Sequence, residues 1–192
     1  SQDYADFYEL LDVFLSSSDI STNSSVNACF AVAGPISDGS SKITNLPWVI
    51  DERILAKKYN FNFIKLINDF TAIGYSLSQL KNEDIATLQT GSPDDNSVKT
   101  ILGAGTGLGM CMVVPNNNKL IVLPSEFGNT NFAPSSEFSF ELATHMHKHK
   151  SRIAYEDILS GAGLENIYMF LKQKSGNSII EPTIPNKNSD LE

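Results

Sequence analysis

The sequence of 192 residues has only two cysteines, Cys29 and Cys111, and no long run of apolar residues. Each cysteine lies in an apolar, strand-like stretch, which predicts buried free thiols and a reducing compartment rather than a disulfide framework. The apolar stretches are too short to span a membrane, and the first residues lack the basic start of a signal peptide. We therefore expect a cytoplasmic protein with no membrane partner.

The sequence also lacks any run of lysine or arginine. Its formal net charge is -8, with 22 acidic and 14 basic side chains. Nucleic-acid binding depends on cationic side chains that neutralise phosphates, so this composition argues against a nucleic-acid partner. A small neutral substrate or an oligomeric partner, including a second copy in a homodimer, is easier to accommodate. His145, His147 and His149 are interleaved with Lys148 and Lys150, which is typical of a solvated helix end, and we assign no metal site to them.

The stretch IKLINDFTAI joins a strand-like run to a helical pattern. Phe63 to Ile67 is apolar and ends at the polar pair Asn68 and Asp69, after which apolar residues recur at helical spacing. One interpretation makes Asn68 or Asp69 the N-cap of the helix. The other makes Asp69 a general base that accepts a hydroxyl proton, because functional side chains gather where strands end in open α/β sheets.

Glycines alternate with other residues over GAGTGLG, residues 103–109. The spacing does not match a dinucleotide fingerprint, and Met110 stands where a triphosphatase loop would have lysine. Strand-like residues follow, so the pattern predicts a hairpin with a glycine-rich tip. Such a tip either brings backbone N–H groups and the Thr106 hydroxyl close to an anion or serves only close packing.

The order of elements predicts an α/β protein with two lobes. Residues 1–90 form the smaller lobe, residues 98–173 form part of a larger one, and residues 174–192 form a polar tail or loop. The expected helices cover Tyr4 to Leu15, the residues after an Asp51 cap, Ser136 to Met146 and the residues after a Ser160 cap. Glu126 and Asn129 fall on a loop between a strand and a helix, where exposed acceptors are common.

Six short stretches occur in this order along the chain: FAVAGPISDG, ITNLPW, LINDFTAI, GAGTGLG, LPSEFGN and EDILSGAGL. Taken together, they resemble the bacterial-type glucokinase family of the hexokinase, actin and heat-shock ATPase superfold. The resemblance implies a hexokinase-like (ribonuclease H-like) two-lobe fold, incomplete at both ends. It also implies transfer of the γ-phosphoryl of ATP to the 6-hydroxyl of glucose, with Mg²⁺.

The same resemblance implies a role for each matching residue. Asp69 corresponds to the catalytic base, and the ATP phosphates would face the second phosphate loop. Ionised carboxylates and amides suit a hexose, because every hydroxyl both donates and accepts a hydrogen bond. The implied sugar-binding residues are Asn45, Asn68, Asp69, Glu126, Asn129 and Glu156, and the implied phosphate-loop residues are Gly105, Thr106 and Gly107.

The sequence departs from the family pattern in the sugar loop and in two nucleotide loops. Ser125 and Phe127 stand where the family usually has glycine, and Asn129 stands where it has histidine. Glucose, mannose and glucosamine therefore stay open as substrates. The first phosphate loop and the Gly-Gly adenosine loop are not found, so we expect these 192 residues alone to turn over glucose poorly or not at all. The alternative is a catalytically incompetent sugar-binding or interaction fragment of the same fold.

Overall fold

A computed structural model describes residues 3–18, 20, 26–44, 46–92, 94, 96–117 and 119–176. These residues form a mixed α/β structure that divides into two compact units. The first comprises Ser1–Ile101 and Met110–Ser125, and the second comprises Leu102–Gly109 and Glu126–Glu192. The predicted lobes, residues 1–90 and 98–173, stay a prediction. Most of the predicted polar tail, residues 174–192, lies outside the described residues.

The first unit is built around a parallel pair of strands. β1 (Asn27–Val32) pairs with β5 (Phe63–Asn68), from Asn27 opposite Phe63 to Val32 opposite Asn68. A separate antiparallel sheet has the order β2-β3-β4. Its strands are β2 (Ile36–Ser37), β3 (Ser40–Lys42) and β4 (Val49–Asp51), and the helices of this unit are α1 (Phe7–Ser17), α2 (Glu52–Tyr59) and α3 (Asp69–Ser76).

Short polar side chains start the helices of the first unit. The Asp51 carboxylate accepts hydrogen bonds from the N–H groups of Arg53 and Ile54, which confirms the predicted cap of α2. Helices α1 and α2 are also linked by the ion pair between Lys58 Nζ and Asp12 Oδ2, 2.7 Å apart. Their apolar faces cover one core, which contains Leu11, Val32, Ile50, Leu55, Tyr59, Phe61 and Leu66.

The two cysteines differ in exposure. Cys111 is fully buried, as predicted, and burial raises the pKa of its thiol. Cys29 is exposed, so the prediction of a second buried thiol is wrong. The reason is the alternation of side chains along β1, in which Ala28 and Phe30 pack towards the core while Cys29 lies on the opposite face.

A three-stranded sheet follows, with the order β6-β7-β8. Its strands are β6 (Lys99–Ala104), β7 (Leu108–Asn116) and β8 (Lys119–Ser125), and β7 and β8 are antiparallel. The predicted glycine-rich hairpin is therefore confirmed as the turn between β6 and β7.

In the first unit, Cys111, Val113 and Val122 form a small core beside α3. Gly74 of α3 permits this packing, because a Cβ there would overlap Val122.

The second unit contains α4 (Glu137–Met146) and α5 (Gly161–Lys174). The Ser160 hydroxyl accepts from Gly163 N at 3.0 Å, which confirms the predicted cap of α5. Ser136, predicted as the first residue of a helix, is the N-cap of α4, and its hydroxyl accepts from Ser139 N. A core of Leu142, Ala143, Met146, Ile153, Ile158 and Phe170 holds the helices together. None of the helices in the described ranges is long and apolar enough to cross a membrane.

Candidate functional site

Asn68 and Asp69 lie where β5 passes into α3. The Asn68 side-chain oxygen accepts from Phe70 N at 3.0 Å and from Thr71 N at 3.2 Å, so Asn68 is the N-cap. Asp69 is the first residue of the helix, and its Oδ1 accepts from Phe70 N at 2.9 Å. Both side chains are half-buried. Because the cap is already supplied by Asn68, the Asp69 carboxylate keeps its second oxygen, Oδ2, as an acceptor for a proton.

The Asn68 amide has a fixed orientation. Its oxygen must face the two backbone N–H groups, because these can only donate. The NH₂ group is therefore the part of Asn68 that a ligand can meet, and it can donate to a hydroxyl oxygen. Asn45, the other predicted sugar contact in the first unit, lies outside the described residues.

The glycine-rich tip, residues 105–107, belongs to the second unit and is held by its own backbone. Gly105 N donates to the Gly107 carbonyl at 2.9 Å, and the Gly105 carbonyl accepts from Gly161 N at 2.8 Å. The first N–H of α5 is thereby used to anchor the tip. Thr106 is exposed, and a Cβ added at Gly105 would meet no atom within 4 Å. The tip therefore offers the Thr106 hydroxyl as a donor and open space beside it, which fits a phosphate group.

Glu156 lies against this tip. It is half-buried in a short 3-10 helix, Tyr155–Asp157. A Cβ placed on Gly107 would lie 3.0 Å from Glu156 Oε2, so only glycine leaves the carboxylate undisturbed. The structure therefore brings together Glu156, predicted to bind the sugar, and Gly107, predicted to face the phosphates.

The loop that carries Glu126 and Asn129 packs on the same 3-10 helix. The Phe127 ring stacks on Tyr155 with ring centroids 5.0 Å apart, and Tyr155 N donates to the Thr130 carbonyl at 3.0 Å. Phe127–Asn129 forms its own 3-10 turn, in which Asn129 N donates to the Glu126 carbonyl at 3.0 Å. Both Glu126 and Asn129 are exposed. The loop and the 3-10 helix thus hold two acidic side chains and one amide on the second unit.

Arg152 is a residue of this site that the sequence reasoning missed. Its Nε donates to Asn131 Oδ1 at 2.7 Å, and one terminal nitrogen donates to Asn129 Oδ1 at 3.1 Å. The other terminal nitrogen donates to the Asn129 carbonyl. Because 21 to 23 residues separate Arg152 from these partners, no local pattern in the sequence indicates the contact.

Asp157 is the last residue of the 3-10 helix that carries Glu156, and its side chain bonds back to the residue before the helix. Burial alone would raise the pKa of this carboxyl. This effect is outweighed by two hydrogen bonds, from Lys150 and from Ala154 N, and by the positive charges of Lys150 and Arg152. The pKa of Asp157 is therefore lowered. An ionised Asp157 holds the turn that presents Glu156, since its Oδ2 accepts from Ala154 N at 2.9 Å.

No group of three or more potential metal ligands occurs in the part of the chain that the structure describes. The rings of His145 and His149 do approach each other, with centroids 6.1 Å apart, and His145 also packs on Phe170.

The chain is similar to glucokinases in sequence and in structure. The family model described as Glucokinase matches residues 1–189. A glucokinase of Nostoc sp. is 39% identical over 176 residues, which cover 91% of this chain and 51% of the relative. The chain thus spans about half the length of the curated relatives it matches.

Two solved structures show the same fold. A glucokinase from an Antarctic psychrotroph aligns with a TM-score of 0.74 and 27% identity over 93% of this chain and 55% of its own. A glucokinase from Balamuthia mandrillaris in complex with glucose aligns with a TM-score of 0.58 and 27% identity over 80% of this chain and 50% of its own. These likenesses confirm the predicted hexokinase-like α/β fold. Together with the match of the family model to almost every residue, they show that this chain belongs to the glucokinase family.

Proposed function

We propose that this protein transfers the γ-phosphoryl of ATP to the 6-hydroxyl of glucose. The observation that best supports the proposal is the contact between the Glu156 carboxylate and Gly107, where a Cβ would approach Oε2 to 3.0 Å. Glu156, whose carboxylate suits a sugar hydroxyl, thereby lies next to the glycine-rich tip, residues 105–107, which suits a phosphate. Phosphoryl transfer requires chiefly that donor and acceptor be held next to each other.

Asp69 is the general base of the proposed reaction. Its Oδ1 is held by Phe70 N, which leaves Oδ2 to accept the proton of the attacking hydroxyl. The hydroxyl oxygen then forms the bond to the γ-phosphorus as the bond to the β-phosphate oxygen breaks. Asn68 donates its amide hydrogens to a neighbouring hydroxyl, because its oxygen is engaged in the cap.

The other proposed sugar contacts are two carboxylates and two amides. Glu126 and Glu156 offer carboxylate acceptors, and Asn129 and the predicted contact Asn45 are amides that have both donor and acceptor atoms. A neutral polyol fits such a set, since it needs no cationic partner. Glucose is the substrate we propose, in keeping with the family and with the glucose named for the Balamuthia relative.

The Thr106 hydroxyl, with Gly105 and Gly107 beside it, is the proposed contact for the ATP phosphates. Mg²⁺ bound with ATP would neutralise charge on the phosphate oxygens. Both free thiols are compatible with a cytoplasmic location, where ATP is available, and that location is part of the same proposal. The proposal includes no contact with nucleic acid or membrane, and homodimerisation stays an expectation.

Calorimetric titration with glucose and a coupled assay of ADP release test the proposal. We expect glucose to bind, and Glu156→Gln to weaken binding about tenfold, because an ionised acceptor contributes about 1.5 kcal/mol or more. Glu165→Gln is the matched control, since Glu165 is an exposed acid of α5. Absence of glucose binding, or equal loss in the two variants, would contradict the proposal.

A further inference from the structure

Arg152 restrains the loop of Asn129 through both side chain and backbone. Its guanidinium donates to Asn129 Oδ1 at 3.1 Å, to Asn131 Oδ1 at 2.7 Å and to the Asn129 carbonyl. The three contacts use the planar fork of the guanidinium, which is pre-organised for several acceptors at once. Arg152 therefore controls how the Asn129 amide is turned.

We propose that Arg152 is a positioning residue that makes Asn129 a pure hydrogen-bond donor in the sugar site. Arginine has only donors, so the amide oxygen of Asn129 must be the atom that faces it. The same argument resolves which end of the amide is oxygen, a choice that an isolated asparagine leaves undetermined. The NH₂ group of Asn129 is then the end presented to a ligand.

This orientation complements the two acids of the second unit that are proposed to bind the sugar. Glu126 and Glu156, when ionised, only accept hydrogen bonds, and they bind a sugar through its hydroxyl hydrogens. A hydroxyl that gives its hydrogen to a carboxylate still has an oxygen to be satisfied. Asn129 supplies a donor for such an oxygen. The inference rests on the proposed function and adds that the ligand must offer an oxygen acceptor to Asn129, so an ammonium group in that place is excluded.

The loop is also held by contacts that do not involve the Asn129 side chain. Asn129 N donates to Glu126, Tyr155 N donates to Thr130, and Phe132 N donates to Ile153 at 2.9 Å. The backbone of the loop therefore keeps its course when the side chain at position 129 is changed. This makes it possible to alter the donor without unfolding the site.

Asn129→Asp is the decisive variant. An aspartate can still accept the bond from Arg152, and more strongly because it is charged, but it has no hydrogen to donate. We expect the melting temperature to be unchanged or higher and the dissociation constant for glucose to rise about tenfold. The control is Asn131→Asp, which strengthens the same arginine contact without touching the proposed donor. That variant is expected to bind glucose within about twofold of the wild type.

Arg152→Met tests the positioning role itself. Without the guanidinium the amide of Asn129 can rotate, so we expect glucose binding to weaken about threefold to fivefold and Arg152→Lys to restore part of it. Asn129→Asp should then cost less in the Arg152→Met background than in the wild type, because the donor is no longer held in place. A purely structural role of Arg152 would leave the two changes independent.

The outcomes separate this inference from the proposed function. Glucose binding that is equal in the wild type and in Asn129→Asp overturns the inference alone, as does an equal loss in Asn131→Asp. A wild-type protein that binds no hexose overturns the proposed function and the inference with it. Calorimetry with glucose and with each monodeoxyglucose gives all these results. The inference predicts that one deoxy sugar binds the wild type less tightly than glucose does. For that sugar, Asn129→Asp should cause no further loss of affinity, because the hydroxyl that Asn129 contacts is already missing.

Discussion

Replacing Gly107 with alanine is the sharpest structural test of Glu156. The new Cβ would lie 3.0 Å from Glu156 Oε2, which is closer than an ordinary contact, so the carboxylate must move by a few tenths of an ångström. Gly107 does not have a positive φ in the structure, so alanine introduces no backbone strain. The substitution therefore acts on Glu156 and leaves the hairpin intact.

The expected effect follows from the strength of the disturbed bond. A hydrogen bond to a charged group contributes about 1.5–3 kcal/mol, and a small displacement of the carboxylate removes only part of this. A loss of about 1 kcal/mol corresponds to a roughly fivefold higher dissociation constant for glucose. Calorimetric titration without nucleotide measures it, so that contacts of the same loop with ATP do not contribute.

Gly105→Ala is the matched control, two residues away in the same tip. A Cβ at Gly105 would meet nothing within 4 Å, so we expect glucose affinity to be unchanged. Both variants should melt at the temperature of the wild type. Unchanged affinity in Gly107→Ala would refute the role given to Glu156. An equal loss in the two variants would assign the effect to the loop in general.

Three further predictions concern stability and reactivity. Ser160→Ala removes the buried cap of α5 and should lower the free energy of unfolding by about 1 kcal/mol, measured by urea titration. The pKa of Asp157 is lowered in the folded protein, so its contribution to stability is present above the ordinary carboxyl value of 3.8 and is lost as the pH falls through the folded value. The loss of stability on acidification below about pH 4 should therefore be smaller in Asp157→Asn than in the wild type, and an identical pH profile would contradict the assignment. An aromatic disulfide reagent should modify exposed Cys29 in the native state and buried Cys111 only on unfolding, and rapid modification of both thiols would contradict the described core.

Local features of the fold could be predicted from the sequence because their causes are local. The caps at Asp51 and Ser160, and the cap expected at Asn68 or Asp69, follow from a short polar side chain placed just before a helical pattern. Cys29 was misassigned because an apolar stretch predicts a strand but does not say which face is covered. Covering a face depends on elements far away in the sequence.

The candidate site residues were proposed from the sequence one by one, but their arrangement could not be predicted from it. Glu156 and Gly107 each matched a motif, while their contact depends on the packing of residues about fifty positions apart. The bonds of Arg152 to Asn129 and Asn131 arise in the same way. Hydrogen bonds over such distances are set by tertiary structure, which a periodic pattern does not encode.

The central claim is that Asp69 takes the proton of a bound glucose hydroxyl. The most direct measurement is the formation of glucose 6-phosphate from ATP with protein in excess over glucose, compared between the wild type and Asp69→Asn. Asparagine keeps the oxygen that accepts from Phe70 N, so the fold and glucose binding should persist. We predict a rate of product formation about 10²- to 10⁴-fold lower in the variant than in the wild type. Equal, measurable rates in the two proteins would contradict the claim.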